Sequence, residues 1–393
     1  REKIKDPDYV PGLIRRKLLD NPHRVTLTLR PDENLESQHQ KAIRETLAKR
    51  KASLSEEEVQ QIVERAQALE ERQLRKDDDS ILPKVGLDDV PLQMPEPVGS
   101  YDAEIGATVY ARGTNGLVYQ QVVLPLPALS KDELLLLPYY TTLISELGCG
   151  DLDYLQMQDR ISAESGGIGA SFTAKGRIDD VQAMSGYLIF SGKALARNSA
   201  ALTRLLKDVY TGVRFDEHDR IREIVAQARA RREQAVTGSG HALAMGAAAQ
   251  GLSAGAWLTF RLGGLEGIRG TKALDKSLKD EQALKDFCAS LAALHDKIRN
   301  QGRQFLLIGE DGQLAPMLDE LKACWQNDSG ETSESWSMEP VNYNTREAWL
   351  TSTQVNFCAK AYSTVAVDHP DAAALTVLGG FLRNGYLHRD RKS

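Results

Sequence analysis

The residues of this 393-residue chain whose types could do chemistry are seven histidines, four cysteines and a band of arginines. The histidines are His23, His39, His218, His241, His295, His369 and His388. No pair stands at the HExxH or HxxEH spacing, which sets two imidazoles and a carboxylate on one helix face around a metal. Glu217-His218-Asp219 places three polar side chains in a row, but helical neighbours point apart and do not chelate. The triplet reads as an exposed first helical turn, where acids suit the macrodipole. Cys149, Cys288, Cys324 and Cys358 are spaced by 139, 36 and 34, so there is no CxxC zinc or redox pair. They read as buried free thiols in a reducing compartment.

Arg220, Arg222, Arg229, Arg231 and Arg232 interleave with Glu217, Asp219, Glu223 and Glu233. A solvated, salt-bridged helix face is one reading, and an anion-binding strip is the other. Gly166-Gly167-Ile168-Gly169 follows a helix and precedes a strand, the reverse of a phosphate loop, so it reads as a tight turn. Gly267-Ile268-Arg269-Gly270-Thr271-Lys272 lacks Walker A spacing. Asp368 precedes a helix beginning near Asp371 and reads as an N-cap. A hydrolase built on neighbouring His369 would need a nucleophile that no motif identifies. By motif, no catalytic residue and no metal ligand is assigned.

The elements that would position any site follow from periodicity. Hydrophobic residues are 41% and charged residues 26%, ordinary for a folded protein of two or three domains. The net charge of −6 argues against nucleic acid as the partner. No apolar run approaches the ~18 residues of a membrane span, and Arg1–Asp6 is not a signal peptide. Residues 1–32 read as the tail of a preceding domain, with a helix over Val10–Leu19 and a strand over Val25–Leu29. Residues 33–100 read as an antiparallel helical hairpin followed by a proline-rich linker. Of the 43 residues from 34 to 76, 17 are charged, and Ser53-Leu54-Ser55-Glu56 matches a capping box.

Residues 101–325 read as an α+β domain. Strands over Glu104–Arg112 and Leu117–Leu124 flank Asn115-Gly116, a hairpin signal. Helices are expected over Leu134–Leu147, Asp151–Ala163, Ala194–Tyr210, Glu217–Val236, Glu281–Asn300 and Gly312–Trp325. Strands are expected near Ile168–Lys175, Met184–Ser191 and Gln304–Ile308. His241–Gly255, rich in Ala and Gly, reads as a closely packed helix or a hinge. Residues 326–340 read as a second linker. Residues 341–393 begin another α+β unit, with a strand over Ser352–Tyr362 and a helix over Ala372–Leu387. The layout of strand, polar break, helix and glycine over Tyr119–Gly148 recurs over Gln354–Gly385, which implies duplicated domains in a piece of a longer polypeptide.

Several of these residues carry a family resemblance. Phe190-Ser191-Gly192-Lys193-Ala194-Leu195 with Asn198 and Ala201-Leu202, and Phe215-Asp216-Glu217 with Arg220-Ile221, resemble the presequence protease branch of the pitrilysin/insulinase zinc metallopeptidases. So does the run from Gly238-Ser239-Gly240-His241 to Leu262-Gly263-Gly264-Leu265. Pro31-Asp32 with the charged helices resembles that family's linker, and Leu382–His388 the helix entering its fourth domain.

The resemblance implies two clamshell halves of α+β domains that close on a peptide, this chain being the C-terminal half. The zinc site would lie in the first domain. Counting back from the Gly148-Cys149 corner, the equivalent ligand positions here are Tyr139, Thr142 and Leu143, a degenerate set. The family's catalytic Arg and Tyr follow a Gly-Gly-Ala-Tyr-like motif missing here, so those roles do not pass to Arg383 or Tyr386. The implied function is part of a zinc endopeptidase degrading short unstructured peptides. This segment would bind no zinc, be inactive alone, and have the zinc-bearing half and peptide substrates as its partners. The implied location is cytoplasmic, or the mitochondrial matrix if eukaryotic. The alternative is a non-catalytic peptide-binding or structural subunit.

Overall fold

The computed structural model describes residues 5–30, 32–75, 78–326, 336–351 and 355–386. The chain divides into two units, Arg1–Met94 and Pro95–Ser393.

The first unit is helical among its described residues. Helix α1 (Tyr9–Ile14) carries Pro11 in its first turn and continues as a wider turn over Arg15–Leu19. Helices α2 (Leu35–Ser53) and α3 (Glu56–Leu74) are joined at Leu54. The capping box forms two residues later than Ser53. Ser55 Oγ accepts the amide of Glu58, and Glu58 returns a carboxylate to the amide of Ser55 at 2.9 Å. Ser53 is still inside α2, so only Ser55 is free to cap. The apolar stripe of both helices stays half exposed, with Ile43 at 51% and Ile62 at 51%. The expected strand over Val25–Leu29 does not form. The segment has no ladder partner among the described residues, and Val25 and Leu29 are 90% and 86% exposed. Alternation specifies a strand only when one face finds a core.

The second unit is α+β. Its six-stranded sheet runs β1-β2-β6-β3-β5-β4, from β1 (Ser100–Asp102), β2 (Ala107–Ala111), β3 (Leu117–Pro125), β4 (Ile168–Gly176), β5 (Met184–Leu195) and β6 (Gln304–Gly309). Asn115 and Gly116 take the positive φ values of 53° and 77° that a tight turn needs. The turn does not make β2 and β3 neighbours. Strand β6 lies between them, parallel to β2 and antiparallel to β3. The dipeptide sets the turn, whereas the pairing is decided by a distant strand.

The helices are α4 (Lys131–Leu143), α5 (Tyr154–Glu164), α6 (Ser199–Gly212), α7 (His218–Gly238), α8 (Gly240–Ala249), α9 (Ala254–Leu262), α10 (Leu265–Ser277), α11 (Glu281–Arg299), α12 (Asp311–Trp325) and α13 (Ala372–Phe381). Helix α6 starts later than expected because β5 runs on to Leu195. Even-numbered residues of β3 and β5, such as Val122, Leu188 and Phe190, are buried. Gln120, polar and 2% exposed, is satisfied by Thr203 of α6 at 2.8 Å. Leu137, Tyr140 and Leu143 of α4 join Leu291 and Leu294 of α11 and Ile221 of α7 in the core. Burying such a side chain contributes ~1.5–3 kcal/mol.

Residues 327–335, most of the expected second linker, lie outside the described residues, as do 352–354 of the expected strand and 387–393 beyond the last turn. Residues 355–362 are extended but unpaired among the described residues, so the strand expected there is not seen. Helix α13 is followed by a wider turn over Leu382–Tyr386.

Candidate functional site

Helix α4 begins at a capping box, with Ser130 Oγ accepting the Glu133 amide at 3.2 Å and Glu133 accepting the Ser130 amide at 2.8 Å. Pro138, inside the helix, lacks an amide. Its carbonyl accepts the Thr142 hydroxyl at 2.8 Å. Tyr139 and Thr142 emerge on one side of α4 and line a cavity of about 130 Å³ with Leu143, Ile224, Val225, Arg231 and Arg232.

This cavity is held by a three-residue network. The Thr271 hydroxyl donates to the Gly267 carbonyl at 2.8 Å. Having one proton, it can then only accept, so it receives both the Tyr139 hydroxyl at 2.8 Å and Arg232 Nη1 at 2.7 Å. Arg232 Nη1 also reaches the Gly267 carbonyl at 3.1 Å, and its Cζ lies 5.7 Å from the centre of the Tyr139 ring. Phe287 of α11 meets that ring edge-on, 5.9 Å between centroids.

Zinc does not fit the residues at the three positions on α4. Tyr139 offers a phenol hydroxyl committed to Thr271, Thr142 a hydroxyl committed to Pro138, and Leu143 a fully buried alkyl group. Among the described residues, no group of three or more His, Cys, Asp or Glu could hold a metal ion.

The corner after α4 is built by a residue that sequence reading left on the surface. Glu217 is half-buried, and its carboxylate accepts the amides of Gly148 at 2.5 Å and Tyr154 at 2.8 Å. Beside it, Arg220 pairs with Glu146 and Glu223 and covers the Tyr154 ring, 4.9 Å to its centre. The start of α7 is therefore a clamp on the α4–α5 corner rather than a free helical turn. The signal was long-range, since both amides lie more than sixty residues upstream in the chain.

Other sequence features resolve into structure. Gly166–Gly169 is the turn into β4, with Gly167 at φ 111°. Gly267–Lys272 lies inside α10, where a Cβ on Gly267 would meet the Leu262 carbonyl at 2.5 Å. Asp368 does not cap α13. The N-cap is Asp371, whose amide donates to His369 Nδ1 at 3.1 Å. The Ala/Gly-rich stretch forms α8 and the start of α9.

Along α8 and α10 runs a larger cleft of about 1310 Å³, walled on its other side by residues 343–351 and 355–361. This extended segment is pinned by its backbone. The Gln182 side chain accepts the Val341 amide at 3.0 Å and donates to the Val341 carbonyl at 2.9 Å. The Tyr343 amide donates to the Gly251 carbonyl at 2.9 Å, and its hydroxyl to Gln250 at 3.0 Å. A Cβ on Gly251 would collide with Tyr343 and one on Gly240 with Phe357, so glycine is what lets the segment lie close.

Residues 29–274 match the family described as Peptidase M16-C associated. Presequence protease 1, chloroplastic/mitochondrial, of Arabidopsis thaliana is 26% identical over 390 residues, covering 95% of this chain and 35% of that protein. The mitochondrial presequence protease of Danio rerio is 24% identical over 417 residues, covering 99% and 40%. The chain thus spans well under half the length of these relatives. A crystal structure titled as a peptidase M16 inactive domain, from Pseudomonas fluorescens, aligns loosely at a TM-score of 0.40 with 13% identity, over 62% of this chain and 53% of that one. The resemblance to presequence proteases carried by Phe190–Leu195 and by the run from Gly238 to Leu265 therefore extends along nearly the whole sequence. With the matched region running from just before α2 into α10, the chain belongs to the Peptidase M16-C associated family.

Proposed function

We propose that this chain is the metal-free wall of a closing catalytic chamber in a longer zinc endopeptidase that degrades short unstructured peptides, and that it is inactive alone. The observation carrying this reading is the state of α4. The positions that resemblance equates with zinc ligands are Tyr139, Thr142 and Leu143; the hydroxyls of the first two are tied into protein hydrogen bonds and the third is a buried alkyl group. The relatives' printed names, presequence proteases, support a peptidase as the parent. In this reading, residues 1–32 end a preceding domain and 33–100 are the helical and extended linker. Residues 101–325 are the third-domain-like scaffold, 326–340 a linker and 341–393 the start of a fourth domain. The zinc would belong to the N-terminal half of the same polypeptide, where it would polarise the scissile carbonyl. This half would enclose the peptide and exclude water. The proposed location is the cytoplasm, or the mitochondrial matrix in a eukaryote.

The test is hydrolysis of a quenched fluorescent, unstructured peptide. The 393-residue chain with added zinc is expected to show none, and the longer polypeptide to show chelator-sensitive cleavage. Zinc-dependent cleavage by the chain alone overturns the reading. The second reading, a non-catalytic peptide-binding or structural subunit, draws on the cleft along α8 and α10, where an extended backbone is already seated. It is favoured if the longer polypeptide also fails to cleave.

A further inference from the structure

The arginines of α7 are not equivalent. Arg220 is neutralised by Glu146 and Glu223, Arg222 by Asp219, and Arg229 by Glu233 and Asp275. Arg231 and Arg232, on the following turn, have no carboxylate at ion-pair distance among the described residues, in a chain whose net charge is −6. Both line the cavity beneath α4. Arg232 is fixed through Nη1 alone, by Gly267 and Thr271, with the Tyr139 ring against it. Its Nη2 and Nε make no hydrogen bond among the described residues, and the exposed Arg231 guanidinium lines the same cavity, so two positive charges border it. The floor is apolar, made by Leu143, Ile224 and Val225, all nearly inaccessible to water. An ion bound there would be partly desolvated, which strengthens its attraction to both cations.

At about 130 Å³ the cavity is well below the ~300–1,000 Å³ of small-molecule sites, so it suits one functional group of a larger ligand. We propose that this cavity is a carboxylate-binding subsite that holds one acidic group of an extended peptide, either its C-terminal carboxylate or an Asp or Glu side chain. The carboxylate follows from two guanidinium groups on one cavity that have no carboxylate at ion-pair distance among the described residues. The choice of a peptide as its bearer rests on the peptidase reading.

The test is direct binding by fluorescence anisotropy, using the 393-residue chain and labelled Gly/Ser-rich peptides. One carries a single Glu and a free C-terminus, one the Glu and a C-terminal amide, one Gln and a free C-terminus, and one neither carboxylate. Wild type is expected to bind the first about tenfold more tightly than the last, with the advantage shrinking as salt rises. If amidation removes it, the C-terminus is the group held; if Gln removes it, the side chain is. Arg231→Gln, at an exposed position, is expected to abolish the advantage, and Arg231→Lys to restore part of it. Equal affinity for the first and last peptides, or an advantage untouched by Arg231→Gln, overturns the proposal. The readout needs no hydrolysis. Failure of the longer polypeptide to cleave would count against the peptidase reading and leave this result standing.

Discussion

The carboxylate of Glu217 accepts the backbone amide of Tyr154 at 2.8 Å, joining the start of α7 to the first residue of α5. Its second oxygen takes the amide of Gly148. Glu217→Ala leaves two half-buried amides without their partner, and the expected loss of stability is about 1–3 kcal/mol. Glu217→Gln keeps one acceptor oxygen and should lose less. Urea unfolding of the three proteins checks the order; equal midpoints would show that water replaces the carboxylate.

Thr271, fully buried, accepts from both Tyr139 and Arg232. Thr271→Val keeps the shape, strands the Tyr139 hydroxyl donor and leaves the Arg232 Nη1 donor with the Gly267 carbonyl alone, at an expected cost of about 1–3 kcal/mol. Tyr139→Phe removes one of those donors, so the double variant should be more stable than the two single losses sum to. A double-mutant cycle by thermal or urea unfolding measures that coupling.

His295 is buried against Tyr140 and Phe215, with Nδ1 2.9 Å from the Tyr140 hydroxyl. Burial, helped by the nearby Arg299, lowers its pKa from 6.5 to about 4. The fold therefore refuses a proton that the unfolded chain accepts. The stability associated with neutral His295 is complete above about pH 6.5 and is lost as pH falls towards 4, by roughly 3 kcal/mol in total. His295→Gln should flatten the fall of unfolding free energy between pH 7 and pH 4.5 relative to wild type. Parallel curves would assign that fall to other groups.

Burial raises the pKa of Cys149 and Cys288 to about 11 each, whereas Cys324 is only partly buried and Cys358, expected from the sequence to be buried like the others, is solvent-exposed because it lies on an extended segment without a strand partner among the described residues. Alkylation with iodoacetamide at pH 8 should label Cys358 first and leave Cys149 and Cys288 protected until the chain unfolds. Peptide mapping by mass spectrometry reads the order directly.

Gly251→Ala should push Tyr343 off the Gln250–Gly251 turn between α8 and α9 without touching the sheet. Limited proteolysis is expected to cut residues 341–351 faster in the variant, while the main thermal transition moves little. A large drop of that transition would mean that the extended segment is part of the core.

Helices α7, α11 and α12 were legible because apolar residues recur at helical spacing over long stretches, and their packing agrees with that period. What escaped was whatever depends on distant partners. Nothing local to Asn115-Gly116 announces that β6 will lie between the flanking strands. Nor does anything in α7 separate Arg229, which meets Asp275 of α10, from Arg231, which meets no carboxylate among the described residues. The strand pattern of Val25–Leu29 is sound as a pattern, but no core in the first unit receives it. The cavity beneath α4 was approached only through resemblance, at Tyr139, Thr142 and Leu143; its cationic wall comes from a helix many residues later.

The insertion of β6 has a consequence for how the protein is made. As the nascent chain leaves the ribosome, β2 and β3 emerge early and cannot pair with each other in the final arrangement. The native partner of both facing edges, Gln304–Gly309, is synthesised nearly two hundred residues after β3. Such late closure makes folding slow and leaves sticky edges open meanwhile, so the second unit should lean on chaperones during translation more than its helical content alone would require.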